Sequence, residues 1–220
     1  MSHSAEILDL LMDTPEAFQI LEKAQLLLRE EQLKREAFYN WVTDDVKAEF
    51  INGEIIVHSP VKSRHAMVGD NLFRILSIYA LKFQLGRVTH EKVMARFTRN
   101  DYEPDLMFFG KAKADAIAPN QSLFPVPDFI IEVLSDSTAE RDRGIKFRDF
   151  EAHQVAEYWL IDAENETVEQ YLLKNGQFEL LKKTDEGVIH CAVLEGLNLP
   201  VEAIFDDTKN VTFVQSILSL

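Results

Sequence analysis

Glu132 lies in the run D-F-I-I-E-V-L-S-D-S-T (128–138), where every other residue from Phe129 to Leu134 is apolar. Such a run reads as a buried strand, and an ionised carboxylate inside one costs several kcal/mol, of order, unless a counter-charge or a metal offsets it. Asp128 is four residues away, about 13 Å along a strand at ~3.3 Å per residue, too far to share an ion with Glu132. Asp105, in Glu103-Pro104-Asp105-Leu106, opens a different short apolar run that ends at Phe109. Neighbouring strands lie only ~4.8 Å apart. On adjacent strands Asp105 and Glu132 could therefore hold a hard divalent cation, Mg²⁺ for example, through oxygens and water.

A third group comes from the segment that follows. At 100° per residue, a helix from Thr138 to His153 places Asp142, Ile145, Lys146, Asp149, Phe150 and His153 on one half of its cylinder. Glu140, Arg141, Arg148 and Glu151 fall on the other half. The apolar members of the first half must face a sheet, which turns Lys146 toward the core. There its ammonium could reach the metal site; the alternative is an Asp142–Lys146 ion pair at i,i+4 worth a few tenths of a kcal/mol, roughly.

Glu54 and His65 are auxiliary candidates. Glu54 follows a hairpin glycine, where an outward carboxylate is the ordinary outcome, and His65 stands near a helix start, where capping and solvation compete with phosphate contact. Glu103 reads as a solvated turn residue with an outer role open to it. His153 and His190 read as structural, Tyr158 and Trp159 as strand core, and Cys191 as a small core residue without a base beside it. No zinc cluster, phosphate-binding glycine loop or Ser-His-Asp arrangement is present.

The elements that would position these groups are legible in outline. Residues 1–40 look helical, with Thr14 as N-cap and Pro15 at the first helical position of the second stretch. E-F-I-N-G-E-I-I-V predicts a hairpin about Asn52-Gly53, and Ser59-Pro60 ends its second strand. A helix over 65–85 closes at Gly86. A strand over 87–97, a polar turn at 101–104, a strand over 106–109 and a loop over 111–127 follow. After Glu157, apolar Tyr158–Asp162 is a strand, 168–174 and 178–183 form a hairpin about Asn175-Gly176, and a strand-like piece at 188–193 leads to a short C-terminal segment. Strand–helix–strand units mixed with hairpins give an α/β fold with a mixed β-sheet flanked by helices. The division is an N-terminal helical arm (1–46), a core domain (47–200) and a C-terminal segment (201–220).

Composition bounds the rest. The 220 residues are 46% hydrophobic and 27% charged, as in a folded globular protein. No apolar run reaches the ~18–20 residues of a membrane span, and M-S-H-S-A-E is not a signal sequence. A single cysteine forms no intrachain disulfide and suits a cytoplasmic setting. The formal charge of −14 opposes nonspecific attraction to nucleic acid, yet residues 61–113 hold ten Lys/Arg against five acids.

Taken together, the segments E-F-I-N-G-E-I, S-P-V-K-S-R-H, E-P-D-L-M-F, P-D-F-I-I-E-V-L-S-D-S-T, R-D-R-G-I-K-F and V-A-E-Y-W-L-I-D resemble the PD-(D/E)xK nuclease superfamily. They resemble in particular a large, mostly uncharacterised branch of it grouped as restriction endonucleases. The resemblance spans about residues 47–175 and implies a restriction-endonuclease-like fold. It also implies Mg²⁺- or Mn²⁺-dependent hydrolysis of DNA phosphodiesters, with Asp105 and Glu132 as metal ligands, a backbone carbonyl at Val133 as a further donor, and Lys146 as the catalytic lysine. The superfamily pattern expects lysine two residues after the acid, where this chain has Leu134; the lysine of this branch is displaced onto the helix. The alternative is a catalytically inactive binding or regulatory module on the same fold. By analogy with enzymes that cut both strands, a homodimer is expected, with the N-terminal arm as a source of interface.

Overall fold

A computed structural model describes residues 3–43 and 45–220. Two helices open the chain, α1 (His3–Met12) and α2 (Ala17–Trp41). Thr14 is not the cap expected of it: α2 begins at Ala17 after Glu16, and the Thr14 hydroxyl donates back to the Leu10 carbonyl. Pro15 explains this, because a residue before proline is pushed out of the helical region, so the break falls at Thr14. Strands β1 (Ala48–Ile51) and β2 (Glu54–Val57) pair as the predicted hairpin. Both turn residues are left-handed (Asn52 φ 50°, Gly53 φ 84°), as a type I′ turn requires.

Helix α3 (Ser63–Lys82) ends sooner than expected, with Gln84 in the left-handed position (φ 54°). Gly86 instead begins β3 (Gly86–His90), where a Cβ would stand 2.1 Å from the Phe109 carbonyl oxygen. That glycine is required by close strand approach and not by the helix end. The expected strand over 87–97 is broken by left-handed Glu91 and Lys92, and its second part, β4 (Met94–Arg96), joins another sheet. The expected polar turn contains β5 (Asp101–Tyr102), buried at both residues. Strand β6 (Leu106–Gly110) follows, and the expected loop contains α4 (Lys111–Ala116) and β7 (Leu123–Phe124).

Strand β8 (Phe129–Val133) leads into a helical segment in three pieces: α5 (Ala139–Arg141), a π-helical turn (Asp142–Lys146) and α6 (Phe147–Ala152). Strands β9 (Glu157–Asp162), β10 (Thr167–Lys174), β11 (Gln177–Thr184), β12 (Val188–His190) and β13 (Asn198–Pro200) come next. The chain closes with α7 (Glu202–Phe205) and α8 (Asp207–Ser219). Helix α8 is capped by Asp206, which accepts from the Lys209 amide, and it buries Val214 and Ile217.

The central sheet runs β11-β10-β9-β8-β6-β3, antiparallel except where β9 lies parallel to β8 after the helical crossover. A smaller sheet, β2-β1-β5-β4-β7, faces one side of it. This is the mixed α/β architecture expected from the sequence. Alternation along β8 divides the core: Phe129, Ile131 and Val133 pack with α3, α7 and α8, while Ile130 packs with Phe150 of α6 and with residues of the smaller sheet. Glu132 therefore shares the face of Ile130 and points toward the helical crossover.

A carboxylate on β10 ties the crossover to the sheet. Glu169 accepts two hydrogen bonds from Arg143 (2.6 and 3.0 Å) and one from Tyr171 (2.8 Å), and pairs with Lys183 at 2.8 Å. The Arg143 bonds prevail over burial and, with Lys183 and Tyr171, lower the Glu169 pKa to about 2. A carboxyl whose pKa falls on folding stabilises the protein above its unfolded value near 4.5, and that contribution is lost as pH falls through 2. Thermal melts of Glu169→Gln should accordingly lie a few degrees below native at pH 7, with the gap closing by pH 2.

Candidate active site

In the β6–β8 pairing Leu106 stands opposite Ile131, so the next position outward sets Asp105 opposite Glu132. The strands hold both carboxylates through backbone amides: Asp105 N donates to Glu132 Oε2 at 3.3 Å, and Val133 N donates to Asp105 Oδ2 at 2.9 Å. Lys146 Nζ arrives from the π turn, 2.9 Å from Glu132 Oε1, 2.9 Å from Glu49 Oε1 and 3.3 Å from Asp142 Oδ1. The lysine thus makes both contacts left open by its spacing, the i,i+4 pair and the approach to Glu132. A π turn carries one more residue than an α turn and re-aims the side chains around it. Here it buries both Asp142 and Lys146, and Tyr158, fully buried on β9, donates its hydroxyl to the Asp142 carbonyl at 3.1 Å.

Three more groups close the cluster. Lys47 Nζ lies 3.1 Å from Asp105 Oδ1, His65 Nε2 3.3 Å from Asp105 Oδ2, and His58 Nε2 3.1 Å from Glu49 Oε2. All but Glu49 and Asp142 line a cleft of about 790 Å³ that also exposes Lys62, Arg141, Arg143 and the loop 134–138.

Electrostatics divides the carboxyls into two sets. Burial and the neighbouring Asp142, Asp105 and Glu49 push Glu132 well above its ordinary pKa, with Lys146 opposing them. Burial likewise raises Asp142, and takes Glu103 to about 7. Burial would also raise Glu49 and Asp105, but here charge partners prevail. Lys146 and His58 bring Glu49 down to about 2, and His65, Lys47 and the Val133 amide bring Asp105 down. Burial works against the Lys146 ammonium, and Glu132, Glu49 and Asp142 outweigh it to hold the group firmly charged. Five carboxyls around two lysines leave the cluster short of positive charge, which protons or a cation must supply.

The sequence model of the family described as "Uma2: Putative restriction endonuclease" matches residues 35–202. The chain belongs to the Uma2 family. The structure is also similar to a crystallised protein from Anabaena variabilis, described as "a putative nuclease belonging to DUF820". The TM-score is 0.67 at 18% identity, covering 79% of this chain and 96% of that one, a likeness that shows the restriction-endonuclease-like fold. No curated protein sequence matches.

Of the residues singled out in this Uma2 chain, the structure gathers Asp105, Glu132, Lys146 and His65. It does not bring Glu54 to them: that residue is exposed on β2 opposite Ile51 and does not line the cleft. Glu103 is not a solvated turn residue but is buried, its amide donating to Glu49 Oε1 at 3.0 Å. Glu49 itself escaped the sequence reading although its signal matches that of Glu132, an acid inside the apolar run Ala48–Ile51.

The superfamily resemblance implies a divalent metal, and the donors present suit one. They are carboxylate oxygens, the hard ligands that Mg²⁺ and Mn²⁺ prefer. Glu103 Oε2 is buried in the cleft wall without a hydrogen-bond partner. Among the described residues no three His, Cys, Asp or Glu side chains converge closely enough to chelate an ion by themselves. Two carboxylates completed by water are the usual protein share of a Mg²⁺ site. Asp105 and Glu132 would hold the ion.

Proposed function

We propose that this Uma2 protein is a Mg²⁺- or Mn²⁺-dependent endonuclease that hydrolyses phosphodiester bonds of DNA. The observation that carries the reading is the meeting of Asp105 and Glu132 across adjacent strands, with the Lys146 ammonium bonded to Glu132, in one wall of an open cleft. A divalent ion bound there supplies positive charge that polarises a phosphate and acidifies a bound water.

The protein's own groups do the remainder. Val133 N, Lys47 and His65 fix the orientation of Asp105. Lys146 fixes Glu132 in the same way and sets a permanent positive charge beside the place where phosphate charge grows in the transition state. Lys62 and Arg141 line the cleft and suit the backbone of a nucleic acid, although the chain as a whole is acidic. Leu134 also lines the cleft at the position where the superfamily places its lysine, and in this reading Lys146 takes the lysine function.

Supercoiled plasmid incubated with Mg²⁺ or Mn²⁺ tests the proposal. Native protein should nick or linearise it, Asp105→Ala should be inactive, and Glu54→Ala should cut within about twofold of native because its side chain is exposed and does not line the cleft. Cleavage that survives Asp105→Ala would remove the assignment. Cation-independent DNA binding without cleavage in the native protein would favour the inactive binding module, the reading to which Leu134 lends support. Among the described residues no helix is long and apolar enough to cross a membrane.

A further inference from the structure

Helix α2 docks on the body only through its last turns. Arg35 and Phe38 are buried there, and Glu31 reaches Arg99 through two hydrogen bonds of 2.7 Å. At 100° per residue Ile20, Leu21, Ala24, Leu27 and Leu28 lie within the same ~120° arc as Glu31, Arg35 and Phe38. The docked seam thus continues for three turns beyond the body, and there it has no cover: Ile20, Leu21, Leu27 and Leu28 are 46–54% exposed. Eleven large apolar side chains between Ile7 and Leu33 stand exposed in α1 and α2. Counted over all faces, their open surface is on the order of 1,000 Å² per chain. The match to the family begins at residue 35, so the uncovered arm lies outside the matched residues.

Two features of the arm select its occupant. The uncovered seam is apolar throughout (Ile20, Leu21, Ala24, Leu27 and Leu28), the stripe that a second helix of the same pattern can cover. The charge order is self-complementary as well. From Glu6 to Glu22 the arm has five acids and no base, whereas residues 23–34 hold Lys23, Arg29 and Lys34 against Glu30 and Glu31, a net charge of +1. Two arms laid antiparallel bring the acidic half of each beside the basic half of the other, while a parallel pair sets like beside like. An acidic arm is poorly suited to anionic lipid or nucleic acid.

We propose that residues 3–34 form a dimerisation arm that pairs antiparallel with the arm of a second copy of this chain. The two-fold axis passes near Ala24, the small residue midway between Leu21 and Leu27, where helices can approach closely. Lys34 then falls beside Asp13 and Glu16 of the second arm. The pairing does not depend on the nuclease reading, and its failure would leave the cleft chemistry untouched.

Sedimentation equilibrium of the full chain provides the test. Native protein should be a dimer at micromolar concentration, and Leu21→Glu with Leu28→Glu should be a monomer with an unchanged melting temperature, since both side chains are exposed in the single chain. In oxidising conditions Ala24→Cys should give a disulfide-linked dimer on a non-reducing gel, and Ala17→Cys should not. A native monomer, a dimer that survives the double substitution, or a native monomer that binds phosphatidylcholine vesicles would overturn the proposal. Equal cross-linking by Ala17→Cys and Ala24→Cys would overturn the antiparallel order.

Discussion

Lys146→Ala is expected to lower plasmid cleavage by about 10²–10³-fold, the usual cost of removing one preorganised positive group from a site of developing charge. The same substitution leaves Glu132, Glu49 and Asp142 buried without their shared ammonium. Removing one partner of a buried ionic cluster costs about 3–5 kcal/mol. The metal-free variant should therefore melt well below native. Mg²⁺ should raise its melting temperature more than that of native protein, because a cation replaces part of the missing charge and binds only the folded chain. Cleavage assays belong at a temperature where circular dichroism shows the variant folded. Near-native cleavage would mean that Lys146 only neutralises carboxylates and takes no part in the reaction.

Arg35→Ala should be the most damaging change outside the cleft. The guanidinium forms a buried fork with Asp101, Nε to Oδ2 and Nη2 to Oδ1 at 2.6 Å each. It also donates to the carbonyls of Thr98, Phe97 and Asn100 at 2.8–2.9 Å. Asp101 is fully buried, and its other partner is the Tyr39 hydroxyl, whose own pKa burial and Asp101 push up to about 12. Losing Arg35 strands that carboxylate at about 3–5 kcal/mol, which for a chain of this size lowers the melting temperature by roughly 6–20 °C. Differential scanning calorimetry reads the shift directly. Adding Asp101→Asn to the variant should restore part of it, since the uncompensated charge is then gone. A shift of less than about 3 °C would show that the network contributes little to folding. Arg35 pins the turn at 97–101 just ahead of Asp105, so the network also supports the strand that carries the metal ligand.

The sequence shows the most where one signal admits one cause. A carboxylate within Phe129–Val133 and a second acid opening Leu106–Gly110 define facing strands, and the observed register sets these two acids opposite each other. Asn-Gly pairs fix both hairpins. Glu49 carries the same signal as Glu132, but its run is only four residues long and the adjoining hairpin draws attention to Glu54 instead. Asp101 and Glu103 are buried in a stretch whose composition reads as a turn, because the groups that hold them come from α2 and β1, distant in sequence: Arg35 on the Asp101 carboxylate and Glu49 on the Glu103 amide. The π turn leaves no trace in spacing either, since an extra residue there is fixed by tertiary contacts such as Tyr158 to the Asp142 carbonyl. Strands β4, β5 and β7, two or three residues each, are too short for alternation to register. Helix α8 was open to detection, with Asp206 as cap and Asn210, Val214 and Ile217 at helical spacing on its buried side.

The account stands on Asp105 and Glu132 together binding a divalent cation. Isothermal titration of Mn²⁺ into metal-free native protein and into Asp105→Ala measures this without reference to any substrate. The account predicts saturable uptake of Mn²⁺ by native protein, competed by Mg²⁺ and abolished in the variant. Absence of saturable binding in the native protein, or binding unchanged by Asp105→Ala, would contradict it.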